Sequence, residues 1–356
     1  MEDKIIMIFK KGAAYFYAYR RNLVLLIIMV NLSCATRLNT GGEKAVLFWP
    51  PPPEKPRIEF VRSFNTPDEA GIKASFFQRM KSAILGGDQI NKLISPHGIW
   101  VDKEGRIYVA DTQQSAVIIY DVPKKNIKRI TKAKDGVLVS PVDVCCDPAG
   151  NIYVSDSALA AVFVFDSGGN FRYDFSNIQF QRPTGLFCHG DTVFVVDTLE
   201  HNLVVASNRG EVLMKFGIRG KGKGEFNYPT DLWVDSSQKI FIADTLNFRI
   251  QIFDSNGSFL NEFGKNGDAY GDTPRPKAVS LDSDGNIYVV DAVMNGVELF
   301  DNNGKFLMFV GGSGSNNGQF LLPAGVFITT DNYIYISDMY NHRVQVFRFL
   351  TEEKKQ

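Results

Sequence analysis

From residue 96 to residue 349 the apolar residues come in short runs separated by polar stretches, and the runs recur in a fixed order. Each unit opens on a Pro, continues into an apolar run and a polar turn, then adds a second run ending in Asp and a third that in most copies ends in an aromatic residue. The copies begin at Pro96, Pro141, Pro183, Pro229, Pro276 and Pro323, at intervals of 45, 42, 46, 47 and 47 residues. With several β-rich runs per unit and no helical periodicity, each unit is predicted to be one small antiparallel sheet that cannot bury its faces alone. Such sheets must stack. Radial closure into a β-propeller removes most open edges, and the repeat count then predicts an all-β fold of six blades.

Within a unit, the run after the Pro is the first strand, the IYVAD-type run the second and the RIQIFD-type run the third. The fourth is a looser run such as Phe259 to Gly264 or Phe306 to Gly311. Turns such as Lys103-Glu104-Gly105-Arg106 and Ser283-Asp284-Gly285-Asn286 join strands one and two, with Gly supplying the positive φ of a tight hairpin. The runs are apolar on both faces, as expected of a sheet sandwiched between sheets. The last repeat stops at Phe349 after its third strand, while an unmatched β-like segment, residues 57–64, stands before the first repeat. This segment is expected to close the ring by pairing with the strand around Val344 to Phe349.

The stretches Ala243 to Phe253 and Ser337 to Phe347 resemble the D-x-x-N-x-R-[IV]-Q-[IV]-F signature of NHL repeats. The Gly-rich joints Phe216 to Pro229 and Val310 to Pro323 are similar to the connector of that family. The resemblance covers residues 96–349, although blades one, two and five lack the Asn and Arg of the signature. It implies a six-bladed propeller. It implies activity only weakly, because one scaffold hosts lyases, binding modules and nucleic-acid readers.

Composition changes this picture little. A chain of 356 residues, 44% hydrophobic with 28 Phe and 13 Tyr, can bury a large core. Its net charge of zero argues against a polyphosphate partner held by bulk electrostatics. The N-terminus differs from the rest. Lys4, Lys10, Lys11, Arg20 and Arg21 precede the apolar run Leu23 to Val30, which is followed by Asn31-Leu32-Ser33-Cys34. Residues 1–34 therefore read as a bacterial lipoprotein signal with lipidation at Cys34, or as an uncleaved membrane anchor. Either places the protein in the cell envelope, periplasmic or at an outer surface. Residues 35–56, with Trp49-Pro50-Pro51-Pro52-Pro53, read as a polar, Pro-rich tether. In the excursion 65–95, Phe76, Phe77, Met80, Ala83 and Ile84 fall at helical spacing after Ser75, predicting a short amphipathic helix that packs on the propeller or contacts a partner or membrane. Residues 350–356 form a tail.

Strand one begins, and strand two ends, on the same face of the ring, so residues after each Pro and after each strand-two Asp gather around one mouth of the central channel. The first circle contains His97, Val142, Thr184, Thr230, Lys277 and Ala324, with Asp143, Asp231, Arg182, Tyr228 and Arg275 beside it. The second contains Asp111, Asp156, Asp197, Asp244, Asp291 and Asp338, six carboxylates at one repeat position that are expected to cap loops by accepting backbone N–H bonds. Cys145, Cys146 and Cys188 are expected to be buried thiols, since a disulfide or metal pair needs Cα separations that spacing does not give.

Pro96-His97-Gly98 resembles the P-H-G segment with which peptidyl-α-hydroxyglycine lyases of propeller fold hold zinc. That family repeats the pair on three blades, because zinc needs three protein ligands and an open position; this chain has it once. Gly217 to Lys223 has the spacing of a phosphate loop, but Gly224 replaces the required Ser or Thr. Asp282 to Asn286 lacks the bidentate Glu of a calcium loop. No cofactor or metal is therefore expected. What remains is a rim of mixed charge with an aromatic: His97, Asp143, Arg182, Tyr228, Asp231, Arg275 and Lys277. It suits a protein, a peptide or a small anionic ligand better than a nucleic acid. The expectation is an exported recognition or scaffolding module, more binding protein than enzyme, with a lyase-like or lactonase-like enzyme at the same mouth as the alternative.

Overall fold

The computed structural model describes residues 46–73 and 92–351. The stretches expected to form the signal, the start of the tether and the helix around Phe76, Cys34 among them, lie outside these residues. The repeats form five four-stranded antiparallel sheets and one of five strands, arranged as a six-bladed β-propeller. Blade five is representative, with strands Pro276–Leu281, Ile287–Asp291, Gly296–Phe300 and Phe306–Gly311 in simple meander order. The apolar side chains of adjacent blades interdigitate in six wedge-shaped cores, one at each blade junction. In strand one the wedges take residues by alternation: Val144 and Cys146 face blade one, whereas Cys145 faces blade three.

Ile58–Phe64 lies antiparallel to Arg343–Phe349, with Ile58 opposite Phe349 and Phe64 opposite Val344, and so supplies the outer strand of blade six. Ile58 and Phe64 are buried in two different wedges, one on either side of this blade. The expected tether departs from its reading. Phe48–Trp49 pairs with Ile58–Phe64 as a fifth strand, and the Trp49 ring packs edge-on against Phe347 at 5.6 Å. An apolar Trp beside an open sheet edge gains more from covering that edge than from standing in water.

The signature residues of blades four and six lock the blade connectors. Arg249 donates from Nε to Asp244 at 2.9 Å, from Nη1 to Glu262 at 2.6 Å and from Nη2 to the carbonyls of Gly222 and Glu225. Gln251 accepts from the Gly224 amide and donates to the Glu225 carbonyl. Arg343 and Gln345 repeat the arrangement on Asp338 and the Gln319 carbonyl. In blade five, Gly296 replaces the Arg and Glu298 replaces the Gln. Phe309 occupies the vacated space: a Cβ on Gly296 would lie 2.3 Å from its ring. Glu298 accepts from the Gly271 amide at 2.9 Å, as the glutamines do, but its second oxygen is buried without a partner.

Burial, with smaller contributions from Asp291 and Asp272, pushes the Glu298 carboxyl up to about 8 from 4.5. The folded state thus favours the protonated acid, which can donate where Gln251 and Gln345 donate. Because the unfolded chain releases this proton first, stability falls as pH rises from about 4.5 to 8. Glu298→Gln should raise the melting temperature by roughly 5 °C at pH 8.5 and change it little at pH 5, checked by calorimetry at both values. Deleting residues 57–64 should lower the melting temperature by about 10 °C or more, since burial of two large apolar side chains is lost.

Candidate functional site

The six strand-two aspartates are loop caps. Asp156, for example, accepts from the amides of Val139, Ser140, Ala158 and Leu159. Two of these caps fix the approach to the channel: Asp197 accepts from the Arg182 amide at 2.8 Å and Asp291 from the Arg275 amide at 2.6 Å. Hydroxyls tie the channel mouth together from blade to blade. Ser155 Oγ donates to the Thr184 carbonyl at 2.6 Å, Thr184 Oγ1 to the Thr230 carbonyl at 2.9 Å and Thr230 Oγ1 to the Lys277 carbonyl at 2.8 Å. Ser337 Oγ holds the His97 carbonyl in the same way at 2.6 Å.

On this ring stand the cations. His97 and Lys277 line the channel and are half-buried, while Arg182 and Arg275 are exposed just before the prolines of blades three and five. Burial, followed by the charges of Arg275 and Arg182, holds the Lys277 ammonium below its usual range. Burial, with Lys277 and Arg182 adding to it, lowers the His97 imidazole to about 4, so the ring is neutral at pH 7. These mutual effects place the groups within electrostatic reach of one another. Among the described residues, none of the side chains of Arg182, Arg275 and Lys277 is hydrogen-bonded or ion-paired. Burial raises the Asp291 carboxyl, and its bonds from the amides of Met294, Arg275 and Val293, with the charge of Arg275, offset part of that rise.

Asp143 and Asp231 lie below this circle, not on the rim. Asp143 accepts from the amides of Val144 and Leu186, and Asp231 from the amide of Val279, so each carboxylate stitches its blade to the next. Gly98 and Gly185 make room for them: a Cβ at Gly98 would sit 1.9 Å from Asp143 Oδ1, and one at Gly185 would sit 2.6 Å from Asp231 Cα. Burial raises both carboxyls, and the charge of Asp231 raises Asp143 further. Tyr228 is turned away to His201, with ring centroids 4.7 Å apart and its amide donating to His201 Nδ1. The structure thus places His97 and Lys277 in the channel lining with Arg182 and Arg275 within electrostatic reach of Lys277, sets the two aspartates beneath and leaves Tyr228 outside the lining.

Two residues further along strand one the channel is plugged. Trp100, Phe187, Trp233 and Phe327 form a closed circuit of rings, with successive centroids 5.6, 4.8, 5.6 and 4.8 Å apart. The passage leaves about 30 Å³ of free volume, room for one or two waters. Four aromatics at one repeat position, the fifth residue of each unit, were the signal for this plug. The other two blades have Cys145 and Ser280 there.

Cys145 corrects the expectation of buried thiols. It is bonded to Cys188, with Cα atoms 5.7 Å apart, and staples blade two to blade three. Cys146 and Cys188 share a repeat position and both face their preceding blades, so those two cannot meet; Cys145, one residue earlier, faces Cys188. Cys146 remains a buried thiol. Among the described residues, no group of three His, Cys, Asp or Glu is gathered as a metal ion would require.

A fold with these features defines a class. A family described as a 6-bladed β-propeller matches residues 175–263 of the chain. Solved structures extend the likeness. Virginiamycin B lyase from Staphylococcus aureus is 13% identical with a TM-score of 0.54 over 72% of this chain and 95% of its own. A streptogramin B lyase is 12% identical with a TM-score of 0.54 over 72% of this chain and 94% of its own. A protein of unknown function from Bacteroides thetaiotaomicron is 13% identical with a TM-score of 0.57, covering 72% of this chain and 70% of its own. At these identities the likeness is one of fold.

Because the folded state holds His97 neutral down to about pH 4 while an unfolded His takes its proton near 6.5, stability should fall as pH drops through that interval. His97→Gln should weaken this acid limb, measured as the change in melting temperature between pH 7 and pH 4.5 relative to the unsubstituted chain.

Proposed function

We propose that the protein is an exported propeller of the NHL-repeat kind, held at a membrane through Cys34 or the apolar run before it, and that it serves as a recognition module. Its ligand presents an anionic group to the mouth formed by His97, Arg182, Arg275 and Lys277. The observation that carries this reading is the convergence of three cations without an ion pair over a channel closed by aromatics. Charge of one sign gathered at a site costs stability, and an incoming anion relieves that cost. The ligand sits across the mouth, since the passage beneath takes only water. The Cys145–Cys188 bond supports the cell-envelope part of the reading, because such bonds persist in oxidising compartments.

A lyase or lactonase at the same mouth is the second reading. The observation in its favour is the buried pair Asp143 and Asp231, whose raised carboxyls have the character of acid–base groups. Against it stands their bonding to backbone amides, which gives the pair a structural task.

Arg182→Ala and Arg275→Ala test the recognition reading with inorganic phosphate and an acidic peptide as probes, by calorimetric titration at pH 7. Each charge-assisted bond contributes about 1.5–3 kcal/mol, so each variant should bind at least about tenfold more weakly. The melting temperature should hold, because exposed charges contribute little to folding. Unchanged affinity in both variants would refute the site.

A further inference from the structure

The two faces of the propeller differ in a way that the mouth alone does not explain. Strand one starts, strand two ends and strand four ends on the mouth side, so the loops between strands two and three and all the blade connectors lie there. The hairpins joining strands one to two and three to four lie on the other side. Of the sixteen large apolar residues exposed among the described ones, ten fall in mouth-side loops and connectors, six on or beside the outer strands and none in the hairpins of the opposite face. Near the channel they form a collar. Leu199 is 44% exposed, Val293 56% and Tyr340 62%, all at the second position after a strand-two Asp, and Leu159, Leu322 and Ile94 are exposed beside them. None of these side chains lines the channel.

We propose that this whole face is a docking surface for a polypeptide that inserts one carboxylate, from an acidic side chain or a chain terminus, into the mouth while apolar side chains flanking it pack on the collar. The inference rests on the anion-binding reading above and adds the class of partner. Apolar side chains exposed together on one face mark a surface that a partner covers, and a monomer gains nothing from displaying them. A small anion would use the cations and leave the collar wet.

A lipid surface fits less well. It meets the outermost groups first, and although Arg182, Arg275, Arg219 and Lys221 are exposed on this face, Lys277 and His97 are half-buried at the mouth, out of reach of a flat leaflet. A peptide chain, by contrast, can lower a single carboxylate into the mouth and spread its neighbours outward.

The test uses the full-length chain and four probes: a hexapeptide with Leu and Phe flanking one Glu, the same Glu flanked by Gly and Ser, inorganic phosphate, and phosphatidylglycerol vesicles. The apolar-flanked peptide should bind at least tenfold more tightly than the Gly/Ser peptide. The double variant Leu199→Ser, Val293→Ser should abolish that advantage while leaving phosphate affinity unchanged. Equal affinity of the two peptides, an advantage that survives in the double variant, or vesicle binding without peptide binding would each overturn the polypeptide assignment. Failure of the mouth reading looks different: there Arg275→Ala leaves phosphate and peptide binding alike unaffected.

Discussion

A blade of this protein is apolar on both faces, and everything else in the structure answers to that constraint. A sheet of four strands with two apolar faces cannot stand in water, so each blade exists only between two others, and the last must meet the first. The chain achieves the meeting by lending Ile58–Phe64 to blade six, where Ile58 serves one wedge and Phe64 the next. Closure therefore joins residues nearly three hundred positions apart. It also fixes the diameter of the channel, and with it the distance across which side chains from opposite blades can act on one another.

Near the axis the six first strands come too close for six full side chains at every level. The protein solves this level by level. At the mouth Thr and Ser hydroxyls reach across to the carbonyls of the next blade; one step down, glycines at 98 and 185 admit the carboxylates of Asp143 and Asp231; further down, four aromatics fill the remaining cross-section. Polar groups at the first two levels are satisfied by backbone partners, whereas the cations of Arg182, Arg275 and Lys277 are not. That contrast separates framework from site. An unpaired polar group in a framework is a cost with no return, and one such case in a blade interior, Glu298, avoids most of it by keeping its proton.

Much of this was legible along the chain. The interval between prolines gave the blade count, the early stop at Phe349 together with the orphan run at 57–64 pointed to the closing strand, and the recurrent Asp at the end of strand two read correctly as a loop cap. The cations were legible as well, since Lys277, Arg182 and Arg275 sit at or beside the residue that opens a blade. The aspartates were less so: positions 143 and 231 are one residue from the rim in sequence, but that residue carries them a full layer down into the channel. Tyr228 adjoins the mouth by the same count, yet its ring packs on His201, because an aromatic gains more from an edge-on partner than from solvent.

Sequence by itself determined the repeat, the alternation of faces and therefore the architecture, because those follow from local periodicity that every copy restates. Only the tertiary structure decided which of the three cysteines pair, which way each rim residue turns and whether the channel is open. Those outcomes depend on the angle between neighbouring blades and on the few ångströms left at the axis. Such distances are set by all six blades closing together, and no single copy of the repeat encodes them.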